Sequence, residues 1–570
     1  MSTIMQSREM KDSAGITTEL ERFNALAQRV TRGESPALEE IQELTRAQDR
    51  MVRGQAKRLL AHVLLQQTRQ SAATLMVDAC EEFDYREPVT LREATQHVQG
   101  LGQPAALVAL CMRAAERLGA NGQTVSALAF LQNALTTDIG HGSKHVNDPT
   151  FVRRIIQAYE SLADSAMHLA GVTPAQRGRR RSPAGGKYRL AHVVAQLVDG
   201  GHAPSRSVET MLKFADCERF DTFLCVTDSL SPHSEQPPPL LASHTSDRRA
   251  PQRIRKFQNE LGVPVIMPCD RRTFITAAAD LHRQLAERQI DVVFYHGSAA
   301  TPTEWLMCFW QAAPWQLDSG FGIPLHCPAV DYQVFEFEQT MEALAFWCRE
   351  RGIGYGLKHA GADMSHVETA QPFSREELRI PADHVILGTV GNHLPKRMSP
   401  RFCRTVAQVL RECPKTTFIA VGPGDFRTQV EALGPDLCGG ANGLPRVRFV
   451  GNQSEPERMT KAFDIYLNSY PDGGGFVLGD AMAASKPVIA MVAGDSTYAQ
   501  AGRAWLGEEC LVTPATDEAY VRRVKQLIEN PAEREEFGRR MRAVYEERHD
   551  ARRGMNRMAD FIVKMIEKNT

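Results

Sequence analysis

Three consecutive glycines in the C-terminal half of the chain have the spacing of a phosphate-binding turn. Gly473, Gly474 and Gly475 end one apolar segment, and a helical pattern that carries Asp480 follows at once. Glycine has no Cβ, so backbone N–H groups can approach a ligand closely, and the N-terminus of the next helix carries a partial positive charge. The segment therefore predicts a site that binds phosphate.

Asp480 lies about one helical turn beyond these glycines. An acidic residue in that place can accept hydrogen bonds from both hydroxyls of a ribose, as in dinucleotide-binding folds. The alternative is a carboxylate that interacts only with the helix dipole, which would contribute under ~1 kcal/mol. We favour ribose binding because of the spacing between Asp480 and the glycines.

Lys396 is the candidate cation for this site. It follows Asn392 in a segment that comes directly after a predicted strand. A lysine at the mouth of a parallel sheet can neutralise a leaving diphosphate as a point charge, without a metal. The sequence contains no Asp-x-Asp pair, the usual anchor of a metal-bound diphosphate. We therefore predict a site with no metal ligands.

Three histidines are candidates for the catalytic base, because an ordinary histidine pKa near 6.5 suits proton transfer. His202 follows a predicted strand and a Gly-Gly turn, at the point where a helix begins. His296 follows a later strand in a matching place and is the main competitor, and His326 is third. A structural histidine is the alternative for each of them.

The N-terminal part of the chain is predicted to be helical. Residues 15 to about 170 show helical periodicity and almost no strand pattern. We assign residues 1–172 to an all-helical domain and 173–187, which carry arginines, glycines and a proline, to a linker. Docking of an acceptor or partner and a purely structural cap are both open as roles for the helical domain.

From residue 188 onward, short apolar runs alternate with helical patterns, which predicts parallel sheets with helical crossovers. Two such series predict two Rossmann-like domains, 188–355 and 356–570, that face a cleft. The final three helices are expected to complete the second domain. The predicted strands are 190–197, 222–226, 264–267 and 291–295 in the first domain and 385–390, 417–421, 447–450, 464–467 and 487–492 in the second.

Composition excludes several classes of protein. The 570 residues carry a net charge of −1, without the basic balance of a nucleic-acid-binding protein. There is no run of eighteen apolar residues, so no integral membrane segment is expected. The N-terminus is too polar for a secretory signal, and the twelve cysteines form no Cys-x-x-Cys pair. We expect reduced thiols and a cytoplasmic protein.

Taken together, these segments resemble the inverting glycosyltransferases of the GT-B fold, a family that includes O-GlcNAc transferases and bacterial cytoplasmic N-glucosyltransferases. The Asn392-x-x-x-Lys396 segment is similar to the family's diphosphate-binding element. The glycines with Asp480 are similar to its nucleotide loop, and Gly200-Gly201-His202-Ala203 to the turn whose histidine faces the active site. Ala313-Pro314-Trp315-Gln316 matches a further family element. The resemblance implies a GT-B fold preceded by an all-α domain.

Two departures from the family pattern affect the stereochemistry. The loop reads Gly-Gly-Gly-Phe where O-GlcNAc transferases carry His-Thr-Thr. Asp472 and Asp480 stand eight residues apart, as do the two acids of retaining GT-B enzymes, in which the first acid contacts the sugar. Inversion and retention therefore both stay open, and we favour inversion.

The resemblance implies a metal-independent hexosyltransferase that moves a sugar from a nucleotide-sugar donor, expected to be a UDP-sugar, to a protein acceptor. The nucleotide-sugar is a co-substrate, and no other cofactor is expected. The alternatives are a glycan or lipid acceptor, a nucleotide-sugar epimerase, and a non-catalytic partner protein of a glycosylation complex. The sugar, the base, the acceptor and the formation of a homo-oligomer stay open.

Overall fold

The structure, a computed structural model, describes residues 14–32, 38–64, 98, 103–140, 148–175, 186–195, 197–199, 202–227, 250–297, 301–319, 327, 329–335, 338–357, 361–439, 445–494 and 499–568. Most of the predicted linker, Gly200, Gly201 and His326 lie outside these residues.

The N-terminal region is helical, as its periodicity predicts. Asp148 caps one helix by accepting the backbone N–H of Thr150, and Gly171 ends the same helix in the left-handed conformation that favours glycine. The described helices are α1 (Ala14–Thr31), α2 (Leu38–Leu44), α3 (Arg50–Leu64), α4 (Pro104–Ala120), α5 (Thr124–Gly140) and α6 (Pro149–Ala170).

The first α/β domain is built on a parallel sheet, in the order β3-β2-β1-β4-β5-β6-β7 along the described strands. These strands are β1 (Tyr188–Val194), β2 (Phe220–Val226), β3 (Val265–Ile266), β4 (Val292–His296), β5 (Trp315–Ser319), β6 (Tyr332–Phe335) and β7 (Gly354–Leu357). Its helices are α7 (Ala203–Lys213), α8 (Pro251–Asn259), α9 (Phe274–Glu287), α10 (Pro302–Phe309) and α11 (Glu338–Arg351).

Strand β5 shows why the sequence analysis names only four of these strands. Its polar residues Gln316 and Asp318 are fully buried, so no apolar run marks the strand. The Gln316 amide is satisfied instead: its Nε2 donates to the carbonyl of Cys308 at 2.9 Å, and its Oε1 accepts from the Tyr295 hydroxyl at 3.0 Å. Polar groups that are hydrogen-bonded in this way can be buried in a core. A strand that contains them is not predicted from its apolar residues.

The helical region packs directly on the first α/β domain. The rings of Tyr159 and Trp305 stack with centroids 4.3 Å apart, and the indole N–H of Trp310 donates to the carbonyl of Ala163 at 3.0 Å. All three aromatic side chains are buried within one continuous apolar core. Helices α4–α6 and the first α/β domain therefore form a single packed body, whereas most buried side chains of α1–α3 form a core of their own.

The second α/β domain has its own core and a parallel sheet in the order β10-β9-β8-β11-β12. Its described strands are β8 (Val385–Val390), β9 (Thr416–Val421), β10 (Val447–Phe449), β11 (Ile465–Leu467) and β12 (Val488–Ile489). The helices are α12 (Ser365–Thr369), α13 (Leu394–Arg397), α14 (Pro400–Glu412), α15 (Arg427–Leu433), α16 (Pro435–Cys438), α17 (Pro456–Ala462), α18 (Phe476–Ala483), α19 (Ala501–Leu506), α20 (Asp517–Glu529) and α21 (Pro531–Val544). Two parallel sheets after a helical region confirm the predicted fold class.

The last helix, α22 (Ala551–Lys568), corrects one expectation. Its position in the sequence predicts that it completes the second domain, whereas its buried side chains Met558, Ile562 and Met565 pack under the first sheet, against Phe294 and Trp315 among others. An amphipathic pattern predicts that a helix has an apolar face, but it does not predict which sheet covers that face. The chain therefore crosses back to the first domain at its C-terminal end.

The two segments that connect the α/β domains run side by side. Ala362 forms a parallel bridge with Asp550, and its N–H donates to the carbonyl of His549 at 2.9 Å. The Tyr545 hydroxyl donates to the Ala362 carbonyl at 2.9 Å. A Cβ at Gly361 would collide with the backbone of Asp550, so only glycine allows this close approach.

The packing of α22 predicts a stability effect in the first α/β domain. Ile562 is 1% exposed in the core shared with the first sheet. Replacing it with alanine should lower the free energy of unfolding of that domain by about 2–5 kcal/mol, because a cavity would remain. Urea unfolding measures the change, and Lys564→Ala on the exposed face of α22 is the control. Equal stabilities for the two variants would contradict the assignment.

Candidate functional site

The carboxyl ends of the parallel strands place most of the candidate residues at one cleft between the two sheets. Asn392 and Lys396 follow β8, and the glycines at 473–475 follow β11. His202 follows β1 in the other domain and is the N-cap of α7. Ligands of open α/β folds bind beyond the carboxyl ends of strands, so this cleft is the expected position of a site.

The glycine loop (residues 472–475) is held by Asn468, a residue that the sequence analysis does not name. The side-chain Oδ1 of Asn468 accepts the backbone N–H of Gly474 at 2.8 Å. A Cβ on Gly473 would lie 3.0 Å from Cγ of Asn468, and one on Gly474 would lie 2.5 Å from Val477 Cγ2. The packing of the loop itself therefore requires glycine at positions 473 and 474, whether or not a ligand binds.

The loop leads directly into α18, whose N-cap is Gly475. The first N–H groups of a helix have no acceptor within it, so this turn can bind an anion. Because the N–H of Gly474 is used by Asn468, the anion-binding groups are those of the first turn of α18 rather than all three glycines. Asp472 is half-buried in the same loop, and its carbonyl accepts the Ser469 hydroxyl at 3.0 Å.

Two adjacent cations, Lys396 and Arg397, lie in α13, after β8. Lys396 and Asn392 are exposed. Arg397 is half-buried, and its Nη1 lies 3.8 Å from the position that a Cβ of Gly474 would take. The structure thus brings Arg397, which the sequence analysis does not single out, against the glycine loop. Its place next to Lys396 is the sequence signal that could have identified it.

Asp480 is buried on α18 and forms an ion pair with the opposite domain. Arg206 on α7 binds it with both arms, Nη1 to Oδ2 at 3.2 Å and Nη2 to Oδ1 at 2.9 Å. The ring Nε2 of His366 is 3.1 Å from Oδ1 and 2.7 Å from Arg206 Nη2. Burial raises the pKa of Asp480, but the charge of Arg206 and the hydrogen bond from His366 outweigh it and bring the pKa below its usual range. The carboxylate is therefore ionised at neutral pH.

His202 lies at the N-terminus of α7, the helix that carries Arg206. Its Nδ1 is 2.8 Å from Ser205 Oγ, which also accepts the backbone N–H of Val198 at 3.0 Å. His202 is the extended N-cap residue of α7, and its carbonyl accepts the N–H of Arg206 at 3.0 Å. It therefore precedes by one turn the residue that contacts Asp480 across the cleft.

His296 is placed elsewhere, in the interior of the first domain. It ends β4 with 4% exposure, and its Nε2 is 2.8 Å from Nδ1 of His192 on the neighbouring strand. Burial lowers the pKa of His192 to about 4, so this partner is neutral at physiological pH. The structure thus places His296 beside His192 in the interior, whereas His202 lies at the N-terminus of the helix that carries Arg206.

In the part of the chain that the structure describes, no group of three or more His, Cys, Asp or Glu side chains could hold a metal ion. Likewise, no helix among those described is long and apolar enough to cross a membrane.

Comparison with known proteins agrees with this geometry. Residues 384–530, most of the second α/β domain, match the family model of glycosyl transferases group 1. No curated protein sequence matches the chain. The chain therefore carries a glycosyltransferase domain. More particularly, its second α/β domain is a glycosyl transferases group 1 domain, the part of the chain that carries the glycine loop and Asp480.

Solved structures that are similar to the chain include three at no more than 15% sequence identity. A mutant of Thermobaculum terrenum O-GlcNAc transferase is 14% identical, with 98% of this chain and 99% of that chain covered and a TM-score of 0.49. A glycosyltransferase from Rickettsia africae is 13% identical over 67% of this chain and 100% of its own, with a TM-score of 0.49. Anabaena Alr3699/HepE, in complex with UDP and glucose, is 15% identical over 66% and 99%, with a TM-score of 0.46.

The packing of the glycine loop predicts the effect of a single methyl group. Gly473→Ala should lower nucleotide affinity about tenfold or more, because the new Cβ would displace Asn468 and with it the loop. Gly494→Ala is the matched control, since its Cβ would meet only ordinary contacts at 3.5 and 3.6 Å. Calorimetric titration of both variants with UDP and GDP measures the difference. Equal affinity in both variants would show that the loop does not bind the nucleotide.

Proposed function

We propose that the chain transfers a hexose from a UDP-sugar to a protein side chain without a metal ion. The observation that carries the proposal is the buried carboxylate of Asp480 on α18, one turn beyond a glycine loop that opens onto the interdomain cleft. A buried, ionised carboxylate beside an anion-binding helix N-terminus suits the ribose and the diphosphate of one nucleotide.

The diphosphate is proposed to lie against the glycine loop. Lys396 and Arg397 would supply positive charge from one side, and the first turn of α18 would supply N–H donors from the other. Such fixed donors stabilise the charge that develops on a leaving group, and one good donor contributes about 3 kcal/mol. Asn392 is proposed to contact the donor from the same segment as Lys396.

His202 is proposed as the base that takes a proton from the acceptor. This role requires the tautomer in which Nδ1–H donates to Ser205 Oγ, so that Nε2 can accept the proton. The contact of 2.8 Å between Nδ1 and Ser205 Oγ is compatible with that tautomer. Asp472, at the start of the glycine loop, is proposed to contact the sugar.

The acceptor that we propose is a protein. The helical region is fixed to the first α/β domain by the Tyr159–Trp305 stack and by the surface ion pair of Arg351 with Glu160. That domain also carries His202, so a polypeptide bound along the helical region could reach the base from the same side of the cleft. The free thiols of Cys225, Cys269 and Cys403 favour a cytoplasmic location.

Titration with nucleotides tests the donor class and the absence of a metal requirement. UDP should bind with micromolar affinity in the presence of EDTA, because protein cations and N–H groups replace a metal. GDP, dTDP and CMP serve as the comparison. Binding that requires Mg²⁺ would contradict the metal-independent mechanism, and failure of all four nucleotides to bind would remove the donor assignment.

Lys396→Ala tests the role of the lysine in catalysis. Release of UDP from UDP-glucose or UDP-N-acetylglucosamine should fall about 10²–10³-fold, because the diphosphate would lose a preorganised positive charge. Circular dichroism should show an unchanged fold, since Lys396 is exposed. Lys415→Ala is the control, because Lys415 is an exposed lysine of the same domain that pairs with Asp383 at 2.9 Å. Full activity in Lys396→Ala would exclude the lysine from the diphosphate site.

A further inference from the structure

One face of α7 joins the first α/β domain to the second. Arg206, Thr210 and Lys213 are spaced by four and three residues, so they lie in a row on this face. The Thr210 hydroxyl oxygen accepts the N–H of Asp363 at 3.1 Å, and Lys213 Nζ donates to the Asp363 carboxylate at 2.6 Å. Arg206, at the end of the row nearest His202, contacts Asp480. The interdomain contact thus ends inside the candidate donor site.

The guanidinium of Arg206 lies next to the anion-binding turn. Its Cζ is 4.6 Å from the centre of the Phe476 ring, and its Nη2 is 3.4 Å from the sulfur of Met364. Phe476 is the first residue of α18, directly after the glycine loop. A small displacement from Asp480 toward the loop would bring the guanidinium to the place proposed for the diphosphate.

Ribose binding and the ion pair compete for the same oxygen atoms. Both carboxylate oxygens of Asp480 accept a hydrogen bond from Arg206, and Oδ1 also contacts His366. A carboxylate accepts about four hydrogen bonds and three are in use, so a ribose diol must displace at least one contact, that of Arg206 or that of His366. The side chain of Arg206 is only 18% exposed, and a buried cation without a counter-charge is costly. The diphosphate of the same nucleotide supplies that counter-charge.

We propose that Arg206 is a donor-diphosphate ligand contributed by the acceptor-side domain. When a nucleotide diphosphate binds, Asp480 takes the ribose and Arg206 moves from Asp480 to the phosphates. The inference rests on the proposed donor site and adds a residue from the opposite domain to it. Because His202 is the N-cap of the helix that carries Arg206, the exchange also fixes the position of the base relative to the sugar.

The test compares a nucleoside with its diphosphate. Arg206→Ala should lower the affinity for UDP about tenfold or more, because a bidentate charged contact with phosphate is lost. The affinity for uridine should stay the same or rise, because Asp480 no longer pairs with Arg206. Calorimetry with UDP and competition titration with uridine measure both quantities. Lys213→Ala, which removes an interdomain contact on the same helix face, should change neither affinity.

Other outcomes overturn the inference. An equal rise in the affinities for UDP and uridine would mean that Arg206 only blocks Asp480, and unchanged affinities would mean that it takes no part in donor binding. Wild-type protein that binds neither UDP nor GDP would overturn the proposed function and this inference with it. Loss of UDP binding confined to Arg206→Ala, with uridine binding kept, supports the inference.

A second comparison separates a direct contact from an effect through Asp480 or through folding. In an Asp480→Asn background, Arg206→Ala should still lower UDP affinity several-fold if the guanidinium touches phosphate. No further loss in that background would mean that Arg206 acts only through Asp480, and would overturn the proposal. Arg206→Lys keeps a charge but not the two-armed geometry, so it should restore part of the UDP affinity lost in Arg206→Ala.

Discussion

A buried carboxylate must be paired, and this requirement organises the cleft. Asp480 is nearly inaccessible on α18, and an isolated charge in such a place would cost several kcal/mol. Arg206 and His366 supply the compensation, and they reach Asp480 from α7 and α12. The same carboxylate therefore joins the two α/β domains and is the residue proposed to bind the ribose. A ligand that changes the partners of Asp480 necessarily changes the contact between the domains.

The connections between the domains determine which movements the cleft allows. Each α/β domain has a separate core, but the chain passes between them twice, at residues 361–362 and 549–550, and these segments are paired with each other. Because the two crossing segments are paired, we expect them to resist sliding of one domain along the other. Rotation of one domain about the line of the paired segments would remain possible. The row of contacts along α7 lies beside this line, because Asp363 follows Ala362 directly. Rotation would alter the contact of Arg206 more than that of Lys213, which binds next to the crossing.

The sequence predicts what is local and misses what depends on distant packing. The fold class follows from periodicity, and the glycine loop with Asp480 is one contiguous segment. Arg206 is 274 residues from Asp480, so no local sequence pattern predicts their contact. His296 follows a strand just as the cleft residues do, yet side chains alternate along a strand and its ring points into the core. The packing of α22 on the first sheet likewise depends on a crossing that amphipathicity does not encode.

The continuous core between the helical region and the first α/β domain has a consequence for modularity. Trp305 stacks on Tyr159 of α6, and Trp310 donates to Ala163 of the same helix, so the aromatic surface of α10 is covered by residues that precede the linker. A catalytic half that began at β1 would present two tryptophans to water and would be prone to self-association. If the helical region were exchanged for that of a related enzyme, the surface of α10 would have to be exchanged with it. Helices α6 and α10 therefore have to match each other.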